Sequence, residues 1–186
     1  MIELNILLSS VMEHAIAALR KERADVYTFS LVHERDKGAV SVYADEEANS
    51  RRVVRRLNRT SMRNFAKAVQ RRDLDEALMW QAMVGRSLST RDFSWKKLAR
   101  RSLGGLKHAP ELHEALLLAG MKYASEVAEL SSDRESLLFT CSTADDEVGL
   151  IWSVDAATSQ NRDGFQSVAR NRRTGMNKRA GTGHSR

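Results

Sequence analysis

The stretch LFTCSTADDEVGLIW, residues 138–152, places one thiol, three hydroxyls and three carboxylates within the eight residues 140–147. Two chemistries are open to such a set. Asp145, Asp146 and Glu147 offer oxygen ligands to a hard cation, and Cys141 beside a base would be a nucleophile. Spacing argues against both. The carboxylates lack the alternate-position pattern and central glycine of a calcium loop. On a strand, consecutive side chains point to opposite faces, so adjacent carboxylates do not converge. Cys141 falls on the same strand face as Leu137 and Phe139, the setting of a small buried hydrophobe. The expected reading is therefore a hairpin whose solvated tip carries Asp145, Asp146 and Glu147.

The histidines add no second constellation. Only His108 and His113 are close in sequence, and a separation of five does not place two ligands on one helical face. No GxGxxG, GxxxxGK[ST] or GxSxG motif occurs. Neither a cofactor nor a metal is expected on these grounds, and no catalytic residue stands out.

The stretch RRVVRRLNRTSMRNFAKAVQRR, residues 51–72, has nine Lys/Arg and no acid. Arg52, Arg55, Arg56, Arg59 and Arg63 follow three-to-four spacing, which puts them on one face of a helix. Such a face is solvated, pairs with acids elsewhere in the chain, docks a protein partner, or neutralises phosphates. The last option predicts steep salt dependence. It lacks a recognition helix, a zinc finger or an aromatic stacking motif to go with it.

The charge layout sharpens the choice. The chain has 186 residues and a net charge of +6, and residues 162–186 alone hold seven Lys/Arg against one Asp. The remaining body is neutral but sorted. Residues 51–107 hold 16 basic and 4 acidic side chains, whereas residues 108–161 hold 2 and 10, and residues 1–50 hold 5 and 9. Sorted charge of this kind can create opposed surface patches that steer a complementary partner. The uninterrupted apolar runs, such as ILL at 6–8 and ALLLAGM at 115–121, are too short to cross a bilayer, so no membrane association is expected. Glu3, Glu13 and His14 do not fit a secretory signal, and the single cysteine fits a reducing compartment. The expected location is the cytoplasm.

Elements that must position these groups follow from periodicity. Leu4, Leu8, Val11, Ala15 and Leu19 predict a helix over 2–22. Tyr27, Phe29 and Leu31 alternate with Thr28 and Ser30, predicting a strand with one buried face. The turn ERDKG and the returning run AVSVYA complete a hairpin. Asp45 is the expected cap of a basic helix with a narrow stripe of Val54, Leu57, Phe65, Ala68 and Val69, broken near residues 58–61. Asp73 with Glu76 forms a capping-box pattern ahead of a helix to about residue 88. Phe93, Trp95, Leu98 and Leu103 suggest a short amphipathic helix. Pro110 suits the first position of a helix reaching about residue 130, and the segments around 138 and 150 form a second hairpin. The predicted fold is α+β: two β-hairpins in a four-stranded, mainly antiparallel sheet with packed helices. It forms one domain over 1–158, followed by a basic, disordered tail over 159–186.

Three segments, VYTFSLVHE at 26–34, VYADEEANSRRVVRRL at 42–57 and LLFTCSTADDEVGLIWSVD at 137–155, resemble a family of uncharacterised bacterial α+β proteins. Some members are encoded near secreted-toxin systems and are proposed as immunity proteins. The resemblance implies a small protein that binds and neutralises a partner, and it brings no catalytic residues. Three functions thus stand at this point. The first is a protein-binding module of immunity type using Arg52, Arg55, Arg56, Arg59, Arg63 or the Asp145, Asp146, Glu147 tip. The second is a nucleic-acid-associated protein using residues 51–72 and the tail. The third is an enzyme with an unfamiliar pocket.

Overall fold

A hairpin forms where the alternating pattern places it. The computed structural model describes residues 2–108 and 111–142 and, as backbone, the strand at 150–153. Strand β1 (Thr28–Glu34) pairs antiparallel with β2 (Ala39–Asp45), from Thr28 opposite Asp45 to Glu34 opposite Ala39. The turn closes through Gly38, whose φ of 52° suits a residue without Cβ.

The sheet has five strands, not four, and it is mixed. Its order is β3-β2-β1-β4-β5. Strand β3 (Trp95–Ser102) occupies the region expected to be a short amphipathic helix. The misleading spacing has a local cause. Ala44 pairs with Trp95 and Val42 with Ala99, so two steps along β2 face four along β3. This bulge, where Lys97 takes a φ of 52°, breaks strict alternation and imitates helical spacing. Lys96, Lys97, Arg100 and Arg101 are exposed along this edge strand and discourage pairing with another chain.

Strands β4 (Leu138–Ser142) and β5 (Leu150–Ser153) form the second hairpin. β4 lies beside β1 and parallel to it, with Phe29 opposite Phe139. The parallel sense follows from where the two strands are entered. The Val26 N–H donates to Leu130 O (2.9 Å) and the Leu138 N–H to Tyr27 O (3.2 Å), so both chain segments reach the sheet at the same end. Two antiparallel pairs stand where the hairpins were expected, but β1 and β4 join in parallel, so the sheet is mixed rather than mainly antiparallel.

One face of the sheet is apolar. Helix α1 (Ile2–Glu22) lays Leu4, Leu8, Val11, Met12, Ala15, Ile16 and Leu19 into the core, where they meet Phe29, Leu31, Val40, Val42, Leu137, Phe139 and Cys141. By length and composition alone α1 is apolar enough to cross a membrane; here that composition supplies the core. The helix expected before residue 130 is split into α4 (Leu112–Lys122) and α5 (Ala124–Ala128) at Tyr123. Leu112, Leu116, Ala119 and Tyr123 are buried as expected, and the Tyr123 hydroxyl donates to Glu13 Oε1 at 2.8 Å. Pro110 lies outside the described residues, as does the segment from 154 that includes the basic tail.

The second face is buried as well, contrary to the one-sided strand expected for β1. Every residue of β1 and β2 is buried. The covering layer is helix α2 (Glu47–Gln70), through Asn49, Ser50, Val53 and Val54, together with the irregular segment 80–94. α2 is unbroken, about 36 Å long at 1.5 Å per residue. The expected interruption fails because the polar side chains find partners that leave the helix intact. Asn58 exchanges two hydrogen bonds with the Met83 backbone, and the Thr60 hydroxyl donates to Arg56 O.

Asp45 ends β2 rather than capping α2; the capping position is Glu46. Asp73 does cap α3 (Leu74–Met79), accepting from the Glu76 N–H at 2.9 Å. That helix stops at Met79, well short of residue 88. The apolar stripe expected along α2 also divides. Val54 and Ala68 are buried, but Phe65 and Val69 are each 46% exposed.

Candidate partner-binding surface

The N-terminal half of α2 is fastened to the sheet by side chains, which fixes the arginines it carries. Asn49 Nδ2 donates to Asp45 Oδ1 (2.7 Å) and to Asp92 O (2.8 Å), and Arg52 donates to Asn49 Oδ1 (2.6 Å). Asp45 Oδ1 also accepts from the N–H and hydroxyl of Ser94. Burial pushes the Asp45 carboxyl up, and the Asn49 and Ser94 donors offset this only in part. Arg56 forms an ion pair with Asp92 at 2.8 Å. These bonds tie helix, sheet and the turn at Thr90–Asp92 into one unit.

The five arginines singled out by spacing are all exposed and share one continuous helix, but they are not equivalent. Arg56 is spent on Asp92. Arg55 and Arg59 donate through Nε to the carbonyls of Arg51 and Arg55, their own helix. Among the described residues, Arg52, Arg55, Arg59 and Arg63 face no carboxylate within ion-pair distance, whereas Arg51 pairs with Glu47 and Arg71 with Glu76. Glu46, Ala48, Asn49, Arg52, Arg55 and Arg59 line a groove of about 370 Å³. Glu46 at its head was not apparent from the basic run, since its role depends on the helix starting one residue later than Asp45 implied. Asp145, Asp146 and Glu147 lie outside the described residues.

One buried and one half-buried polar group under this layer also escaped the sequence reading. Glu34, 2% exposed, accepts from the Ser41 hydroxyl at 2.5 Å and the Tyr43 hydroxyl at 3.4 Å, and pairs with Arg100 at 3.3 Å and Lys37 at 3.7 Å. Burial by itself raises this carboxyl, but Ser41, Lys97 and Arg100 together outweigh it and hold the group below its usual value. An ionised, low-pKa carboxylate is a poor general base, and Ser41 is fully buried, so the pair is structural. Its depressed pKa stabilises the fold above the ordinary carboxylate range, and that stabilisation is lost as pH falls through the folded value. Glu34→Gln is accordingly expected to flatten the loss of stability between about pH 5 and pH 3, read as the urea midpoint against pH. Parallel profiles for the two proteins would refute the assignment.

Arg86 is the second such group. It lies 3.6 Å over the Tyr27 ring and donates to Tyr27 O (2.6 Å), Thr28 Oγ1 (3.2 Å) and Ser136 O. Ser87, next to it, donates its N–H to Ser50 Oγ at 2.9 Å. The segment 80–94 is thus pinned across the polar face of the sheet. A signal for both groups was present: Ser41, Tyr43 and Asp45 recur at period two opposite Val40 and Val42, as expected of a strand buried on two unlike faces.

The remaining chemical candidates are placed as follows. Cys141 is buried, and burial pushes its thiol up to about 12, so it stays protonated at neutral pH. His108 and His113 are exposed, and among the described residues no three His, Cys, Asp or Glu side chains come together as a metal site. Comparison of the chain with protein-family models, curated proteins and solved structures finds no match in any of the three.

Proposed function

We propose that this chain is a cytoplasmic protein-binding module of the immunity type, which neutralises a partner protein by docking an acidic surface against the Arg52, Arg55, Arg59 and Arg63 face of α2. The observation that carries this reading is a row of guanidinium groups, on a helix fastened to the sheet through its N-terminal half, left without carboxylate partners among the described residues. Guanidinium groups suit bidentate recognition of carboxylates, and a fixed row of them sets orientation and encounter rate. Glu46 favours a protein over a nucleic acid. It sits in the groove with Arg52, Arg55 and Arg59, where it repels a uniform polyanion but accepts a partner of mixed charge.

The test uses affinity capture from the native host with the full chain and with the Arg55→Glu, Arg59→Glu double variant. Both positions are exposed and, among the described residues, bond only to their own helix, so the variant should remain folded. The expected result is a stoichiometric protein partner whose affinity falls at least about 100-fold in the variant, as for reversed charge pairs at an interface. Equal recovery by both proteins would refute the reading. So would tight binding of a DNA or RNA oligonucleotide that weakens steeply with salt and is lost in the same variant.

A further inference from the structure

The proposed partner surface has an apolar continuation. On α2, Arg55, Arg59 and Met62 stand at i, i+4 and i+7, and Met62, Phe65 and Val69 at i, i+3 and i+7, so cations and apolar side chains follow one another along one helical face. Met62 is 71% exposed, and Phe65 and Val69 are 46% exposed. Beyond Val54 the only buried residue of α2 is Ala68, and α3 is the element this distal half packs against. α3 repeats the pattern, with Leu74, Leu78 and Met79 each at least 70% exposed. The two Asn58–Met83 hydrogen bonds, 2.9 and 2.7 Å, hold the returning segment against the same helix, adding Met83. A soluble surface does not ordinarily gather this many large apolar side chains without a partner for them.

Charge decides what fits. Residues 51–72 carry nine Lys/Arg and no acid, and of the three acids in the 73–79 segment Asp73 caps α3 and Glu76 pairs with Arg71, leaving Asp75. A second copy laid arm to arm would set two such runs against each other. The chain's own segment 162–186 carries seven Lys/Arg and one Asp and is repelled for the same reason. A surface that is apolar along its centre and cationic along its border is complemented by one that is apolar and anionic. We infer that the α2–α3 arm docks a helix of the partner protein, about four turns long, that presents an apolar stripe bordered by carboxylates to Met62, Phe65 and Val69 and to Arg55 and Arg59. This deepens the binding reading and rests on it. The mode is an amphipathic helix laid on an apolar strip, with i, i+3, i+4 and i+7 anchors.

The inference is tested on the full chain with three labelled 18-residue helical peptides followed by fluorescence anisotropy. The first has leucines at i, i+3, i+4 and i+7 bordered by glutamates; the second scrambles it; the third replaces glutamate with lysine. The first peptide is expected to bind at least about tenfold more tightly than the others. Phe65→Ser and Val69→Ser, at half-exposed positions, are each expected to weaken it about tenfold, the usual effect of losing an apolar anchor. Equal binding of all three peptides, or no binding of the first, overturns the inference. If Arg55→Glu, Arg59→Glu abolishes capture of the host partner while Phe65→Ser leaves it unchanged, the arginine reading stands and the apolar docking strip falls. If both leave capture unchanged, both fall. Sedimentation of the free chain closes the remaining case: a dimer abolished by Phe65→Ser makes a second copy the occupant and overturns the assignment to a partner.

Discussion

Arg86→Ala is expected to lower the unfolding free energy by about 3 kcal/mol, a large part of the margin of a domain of this size. The substitution removes one side chain but affects three acceptors. Tyr27 O, Thr28 Oγ1 and Ser136 O all receive a guanidinium N–H, and the Tyr27 ring loses the cation above it. Burial pushes the Arg86 pKa down, but an arginine remains charged at any pH compatible with folding. The bonds lost are therefore charge-assisted, and the carbonyls left behind are partly shielded from water. Arg86→Lys is the informative companion. It keeps the charge, yet one ammonium cannot span acceptors on β1 and on the segment before β4 as a planar fork does. We expect it to recover less than half of the loss. Urea unfolding monitored by circular dichroism reads both values. An alanine variant within about 0.5 kcal/mol of the parent, the scatter of ordinary surface changes, would mean that Arg86 does not hold the 80–94 segment in place.

The same side chain shows why part of the architecture was hidden in the sequence. α1 was legible because its apolar residues keep one period over 21 residues, and the first hairpin because Phe29 and Leu31 alternate and Gly38 marks the turn. The arginine face was legible for a similar reason, since three-to-four spacing survives whatever packs nearby. β3 was not, because its bulge puts two extra residues between the partners of Val42 and Ala44 and leaves Leu98 and Ala99, adjacent in sequence, both packed against the core. The second buried face of β1 and β2 was missed because its residues are polar. Thr28, Ser30, Glu34, Ser41 and Asp45 look solvent-facing when taken singly, and only a covering helix with complementary donors makes them interior. Phe65 and Val69 show the converse error. Apolar residues at helical spacing form one narrow stripe in the sequence, but α2 outruns the sheet it covers, so Phe65 and Val69 in its distal part face outward. Whether an amphipathic face is buried depends on the length of its neighbours, which periodicity does not encode.

Phe139→Ala is expected to have the largest effect of any single change considered, about 3–5 kcal/mol, because it combines lost burial with a cavity that the surrounding sheet cannot close. Phe139 is 1% exposed and meets Phe29 across the parallel junction, with ring centroids 5.8 Å apart and planes tilted by 54°. That contact sits where the two hairpins join, so its neighbours are held by strand pairing on both sides: β1 at Phe29 and β5 at Trp152. A backbone fixed by two ladders has little freedom to collapse into a void, which places the expected cost toward the upper end of the range. Phe139→Leu, which retains most of the volume, should cost about 1–2 kcal/mol. Leu118→Ser, at a residue 53% exposed on α4, should cost less than about 0.5 kcal/mol and serves as the control. The three values come from urea midpoints at constant m. The arginine face lies on the opposite side of the sheet from Phe139, on a helix fastened through Asp45 and Asp92. Folded Phe139→Ala protein should therefore bind the acidic amphipathic peptide as the parent does. Loss of binding in fully folded variant protein would show that the two faces of the sheet are coupled, and that the docking helix takes its position from the hairpin junction rather than from its own polar fastenings.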